Sequence, residues 1–112
     1  MSSILLNSIE WHDLPVSQLC ITDAGVSLVV TPYNEATASY DGRVLRITNA
    51  ESLSINVTGV LSPKDFGSLE VSTFTYSVGT SGRITGTVGL LPGNAGFWEL
   101  SFTNALWELA EA

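Results

Sequence analysis

The stretch Leu19-Cys20-Ile21-Thr22-Asp23-Ala24-Gly25-Val26-Ser27-Leu28-Val29-Val30 decides how this chain is read. Leu19 and Ile21 alternate with Cys20 and Thr22, and Val26, Leu28 and Val30 alternate with Ser27 and Val29. A period of two belongs to a strand with one buried face. Asp23-Ala24-Gly25 interrupts the pattern. Asp opens a type I turn through its own backbone-bonding carboxylate, and Gly takes the left-handed conformation that closes a three-residue hairpin loop. The stretch is therefore a β-hairpin.

Upstream, residues 3–11 hold Ile4, Leu5, Leu6 and Ile9 and read as a short strand, with one helical turn as the other choice. Trp11-His12-Asp13-Leu14-Pro15 breaks that segment, because Pro15 biases Leu14 away from helix. Downstream, the hairpin ends at Thr31-Pro32, since proline cannot donate to a ladder. Residues 33–42 read as a loop closed by the turn pair Asp41-Gly42. Residues 43–48 form a strand, 49–52 interrupt it, and Leu53, Ile55 and Val57 resume the alternation. Residues 59–67 form another loop. In residues 68–78, Leu69 and Val71 share one parity while Phe74, Tyr76 and Val78 share the other. A bulge near Ser72-Thr73 reconciles them, because one extra residue turns the side chains over. Gly79 to Gly82 is a hairpin loop, 83–91 a returning strand, 91–96 a loop, and Trp98, Leu100 and Phe102 begin the last strand.

The tail, Ala105-Leu106-Trp107-Glu108-Leu109-Ala110-Glu111-Ala112, has good helix formers with Asn104 as a cap. An internal echo favours strand. Leu45-Arg46-Ile47-Thr48-Asn49-Ala50 resembles Leu100-Ser101-Phe102-Thr103-Asn104-Ala105, and each follows a hairpin and a Pro-x-Asn loop (Pro32-Tyr33-Asn34, Pro92-Gly93-Asn94). The echo implies a strand over 99–108 kinked at Asn104. Seven or eight short strands without a long helix give an all-β fold. The expectation is a single domain over 1–112, an antiparallel β-sandwich of two similar halves. A flattened barrel with a short C-terminal helix is the alternative.

Composition excludes several function classes. Eleven acids against four bases (Arg43, Arg46, Lys64, Arg83) leave a net charge of −7 in 112 residues. Nucleic acid is thus excluded as a direct ligand, because binding it requires cations on phosphates. Such acidity maintains solubility, or attracts a basic protein partner. The single cysteine, Cys20, has no internal disulfide partner and reads as a small buried hydrophobe. The start of the chain lacks a signal-peptide pattern, and no apolar run reaches membrane-span length, so a cytoplasmic location is expected.

Chemistry is sparse. One His and one Cys do not complete a metal shell, so no metal is expected, and no glycine-rich loop leads into a helix to hold a cofactor phosphate. No serine lies in a G-x-S-x-G elbow, and His12 is the sole histidine. Glu10 and Asp13 form a carboxylate pair that reads as solvated surface. No catalytic residue is assigned, and the chain reads as a non-enzyme. Trp11-His12-Asp13 is the most distinctive local stretch. It reads first as a structural anchor and second as a recognition spot in which Asp13 holds the His12 ring. Trp98 and Trp107 join these as candidate binding residues. A bulge at Asn104 puts both on one face, where they stack on a sugar ring or pack into the core. A carbohydrate-binding module is accordingly one alternative function, and a homodimeric or larger structural assembly another.

Trp11-His12-Asp13, the hairpin after it, and the strand Val44-Leu45-Arg46-Ile47 resemble small bacterial single-domain proteins grouped with polymorphic-toxin immunity proteins. Those proteins open with a His-Asp pair before a hairpin and follow with an L-x-F-type strand; Ile47 stands here where the pattern carries Phe. The resemblance spans about half the chain. It implies a bacterial, cytoplasmic, non-catalytic protein that neutralises a toxin, and it points to His12 and Asp13.

Overall fold

A computed structural model describes residues 5–59, 63–92 and 96–112. The described residues form β1 (Leu14–Thr22), β2 (Gly25–Val30), β3 (Tyr33–Asn34), β4 (Ser39–Tyr40), β5 (Arg43–Thr48), β6 (Ser52–Thr58), β7 (Leu69–Val78), β8 (Ile84–Pro92) and β9 (Phe97–Glu111), with single 3-10 turns at Leu6–Ser8 and Pro63–Ser68. The strand order is β5-β2-β1-β7-β8-β9-β6, and β5 also pairs with β9. All pairings are antiparallel. One layer is β1, β2, β5 and the C-terminal half of β9. The other is β7, β8, the N-terminal half of β9, and β6. The layers join where Leu14 and Pro15 of β1 meet Val71 and Glu70 of β7, and where β9 crosses from one to the other. The all-β expectation holds, as a sandwich closed at both corners. The tail is strand throughout, so the helix of the barrel alternative does not form there.

The decisive hairpin pairs as its alternation requires, Leu19 with Leu28 and Thr22 with Gly25. Gly25 has φ 137, and an added Cβ would overlap the Ile47 carbonyl oxygen, so only glycine fits. The same alternation turns Cys20 outward opposite Ser27, so the thiol is exposed rather than buried. The inward residues of both layers, among them Val26, Leu28, Leu45, Val71, Ile84, Leu90, Leu100, Phe102 and Leu109, build one core. Burying each such side chain contributes about 1.5–3 kcal/mol.

The echo has a structural counterpart. Thr-Asn-Ala marks a left-handed asparagine in both copies, Asn49 at φ 52 and Asn104 at φ 48. Asn tolerates this conformation at lower cost than other side chains. The unit β5-Asn49-β6 runs antiparallel along the two halves of β9, Arg43↔Glu111 to Thr48↔Leu106 and then Ser52↔Thr103 to Thr58↔Phe97. Arg83 Nη1 donates to both asparagine carbonyls, at 3.3 Å to Asn49 and 3.0 Å to Asn104. Bulges sit at matching places, Ser17 after Val16 and Ser72 after Val71. The two halves thus repeat one topology: a bulged hairpin, then a strand kinked at a left-handed asparagine.

Two segments depart from expectation. Residues 5–12 form no strand; they make the 3-10 turn, a bend at Ile9, and an irregular run that turns at His12-Asp13 into β1. Leu6 and Trp11, both buried, are five apart, which strict alternation cannot put on one face. The supposed loop at 33–42 contains a miniature hairpin, Tyr33↔Tyr40 and Asn34↔Ser39. Asn34 organises it, accepting from the Ala36 N–H at 3.0 Å and donating to Asp41 at 2.8 Å. The expected loop at Pro92-Gly93-Asn94 falls partly outside the described residues.

Candidate functional site

The site grows from the β7 bulge. Where Ser72 is inserted, its carbonyl leaves the ladder and needs another donor. His12 supplies it: Nδ1 lies 2.7 Å from the Ser72 oxygen, so the ring carries its proton on Nδ1. His12 is brought there by Trp11 and Asp13. Trp11 is buried, its indole N–H donates to the Leu6 carbonyl at 2.8 Å, and its ring meets Phe74 edge-on at 5.0 Å. Asp13 takes φ 59, turning the chain from this segment into β1. Its carboxylate lies 3.3 Å from His12 Nε2, with the two side chains 68% and 65% exposed. The Ser72 carbonyl first, then Asp13, and more distantly Glu10 and Glu70, raise the His12 pKa above its ordinary value against a small opposing cost of burial.

These residues line an open cleft of about 850 Å³ formed by residues 7–14, Pro32, Tyr33 and residues 72–75. A second cleft of about 670 Å³ shares Ser8, Ile9, Pro32 and Tyr33 with it and adds residues 34–36, Asp41, Arg43 and Glu111. The shared residues make the two clefts neighbours, together termed the groove. Glu10 and Asp13 line the first part, and Glu35, Asp41 and Glu111 line the second together with a single arginine, Arg43, whose Nη1 donates to the Gly42 carbonyl at 2.9 Å. The other arginines are engaged elsewhere. Arg46 pairs with Glu108 at 2.8 Å, and Arg83 holds the two kinks. Tyr33 lines both clefts and is 53% exposed; Tyr40, 70% exposed, lies outside their linings and meets the Tyr33 ring edge to face at 5.0 Å.

Of the candidates read from sequence, Trp11, His12 and Asp13 come together here, with Trp11 as the buried anchor. Trp98 and Trp107 do share the inward face of β9, because Asn104 shifts the phase between Phe102 and Ala105. Both pack against the core, the Trp107 indole donates to the Gly82 carbonyl at 3.1 Å, and neither lines the groove. The tyrosine pair was not singled out from sequence. Its signal was Tyr-Asn and Ser-Tyr flanking a short polar turn, too brief for alternation to register. Among the described residues no three His, Cys, Asp or Glu side chains converge to hold a metal ion, and no helix is long and apolar enough to cross a membrane. No known family model, curated protein or solved structure matches the chain.

Proposed function

We infer that this is a non-catalytic binding protein whose groove receives a basic polypeptide partner. The observation that carries this reading is the pairing of five carboxylates, against one arginine, with the exposed Tyr33 ring in the same groove. Carboxylates steer a cationic surface and raise its association rate at low salt. An arginine or lysine over a tyrosine face adds roughly 0.5–2 kcal/mol. The Trp11 bond to Leu6 and the Asn34 bond to Asp41 tie the groove's two wall segments down, which lowers the ordering cost on this side of the complex. His12 spends Nδ1 on a carbonyl and turns Nε2 to Asp13, and Ser72 offers its carbonyl rather than its hydroxyl, which suits a latch more than a nucleophile–base pair. Taken with the resemblance to immunity proteins, the reading makes the partner a basic toxin domain met in a bacterial cytoplasm.

An arginine-rich peptide titrated calorimetrically into the protein tests the groove, and co-expression with the product of an adjacent gene tests the biology. Binding should weaken with salt, weaken about three- to thirtyfold in Tyr33→Ala, and weaken in Glu35→Gln/Asp41→Asn. It should be unchanged in Asp23→Asn and Glu99→Gln, whose carboxylates lie outside the groove. Equal losses from all these variants would mean that net charge alone attracts the peptide, and the groove reading would fail.

A further inference from the structure

We propose that β6 is a self-association edge, through which two copies of this chain pair antiparallel about Ile55. This proposal does not depend on the groove. Among the described residues β6 pairs only with β9, so its other edge presents unpaired backbone donors and acceptors. All seven of its residues are exposed. Leu53, Ile55 and Val57, on one face, are 38%, 39% and 51% exposed.

The repeated topology supplies a comparison within the molecule. The strand equivalent to β6 is the C-terminal half of β9, on the edge of the other layer. That edge carries Glu108 and Glu111, and its inward Leu109 is fully buried. Residues 52–58 carry no charge and no proline, the ordinary devices that keep an edge from pairing. In a chain of net charge −7, a neutral edge is where a second copy meets least repulsion.

The pattern of β6 also chooses its occupant. A two-fold interface must be self-complementary, residue i on j and j on i. Antiparallel pairing centred on Ile55 sets Leu53 opposite Val57, Ser54 opposite Asn56, and Ser52 opposite Thr58. Apolar residues meet apolar ones on one face and hydrogen-bonding residues meet on the other. A shift of one residue would mix the faces. No charge on the strand selects a charged partner instead. Pairing would join the β6-edged layers of two copies into one continuous sheet.

Sedimentation velocity of the full chain from low micromolar to millimolar concentration tests this. A monomer–dimer equilibrium is expected, and it should tighten with salt as repulsion between the acidic copies is screened. This is opposite in sign to the salt effect on peptide binding in the groove. Ile55→Lys removes the central apolar pair and sets two ammonium groups together, so the dimer should weaken at least about tenfold. Asn56→Lys, on the opposite face, should weaken it too if Ile55→Lys does not fold, and Tyr33→Ala should leave it unchanged. In a Cys20→Ser background, a short bis-maleimide should cross-link Ile55→Cys readily and Leu53→Cys poorly, because only position 55 faces itself. A chain that stays monomeric at millimolar concentration and high salt would overturn the proposal. So would equal cross-linking at 53 and 55, or folded lysine variants that still dimerise.

Discussion

Trp11 holds the N-terminal wall of the groove, and changing it separates two contributions. The indole N–H is the donor to the Leu6 carbonyl, at 2.8 Å in a buried position, while the ring contributes area and an edge-on contact with Phe74. Trp11→Phe keeps a ring and removes the donor. The Leu6 carbonyl is then left without that partner, a cost of about 1–3 kcal/mol. The aromatic contact, about 0.5–1.5 kcal/mol, is largely retained. Trp11→Ala loses ring and donor together and should cost about 3–5 kcal/mol. Urea denaturation should therefore rank wild type, Phe and Ala in well-separated steps. A domain of this size loses roughly 4–8 °C of Tm per kcal/mol. Hydrogen exchange locates the effect. In Trp11→Phe the amides of residues 5–13 should exchange faster, while those of β8 and β9 follow global stability only. The groove should lose affinity for the arginine-rich peptide as its wall loosens. If Trp11→Phe matches wild type in stability and in exchange over residues 5–13, the hydrogen bond does not anchor this segment. If it matches Trp11→Ala, the donor rather than the ring carries the whole effect, and the packing argument is wrong.

Asn104→Ala forces a left-handed alanine and removes the bond to Glu51, so urea titration should show a loss of about 1–2 kcal/mol. Asn104→Gly, which relieves the backbone, should lose less than about 1 kcal/mol; equal losses would deny φ any part in the kink. Arg83→Met releases both asparagine carbonyls and should destabilise by about 1–2 kcal/mol, with faster exchange at residues 49–51 and 104–105. His12 has its pKa raised in the folded state, so its stabilising contribution is fully present below the unfolded value near 6.5 and is lost as pH rises through the higher folded value. Stability measured across that window should fall with rising pH in the wild type, and His12→Gln should remove that dependence.

Several elements were legible because each reports on its own neighbours. Alternation located the central hairpin, and Asp23-Ala24-Gly25 located its turn. The parity change between Val71 and Phe74 announced the Ser72 bulge, and the repeated Thr-Asn-Ala announced two strand interruptions, whose left-handed asparagines only the structure showed. Trp11-His12-Asp13 was visible as an unusual stretch, but not what it touches. Its partners, the Ser72 carbonyl and Phe74, lie about 60 residues on and are reached only when β1 and β7 meet at Leu14 and Val71.

Sequence by itself determined the strand period, the turn chemistry, the net charge and the scarcity of reactive groups, because these are properties of single residues and short spacings. Tertiary structure decided the rest. It closed the sandwich through β9, brought two acid-lined clefts side by side at Tyr33, exposed Cys20, and left the edge of β6 open. Each of these depends on which distant strands become neighbours. That choice is made by how one shared core is filled, and no local pattern encodes it.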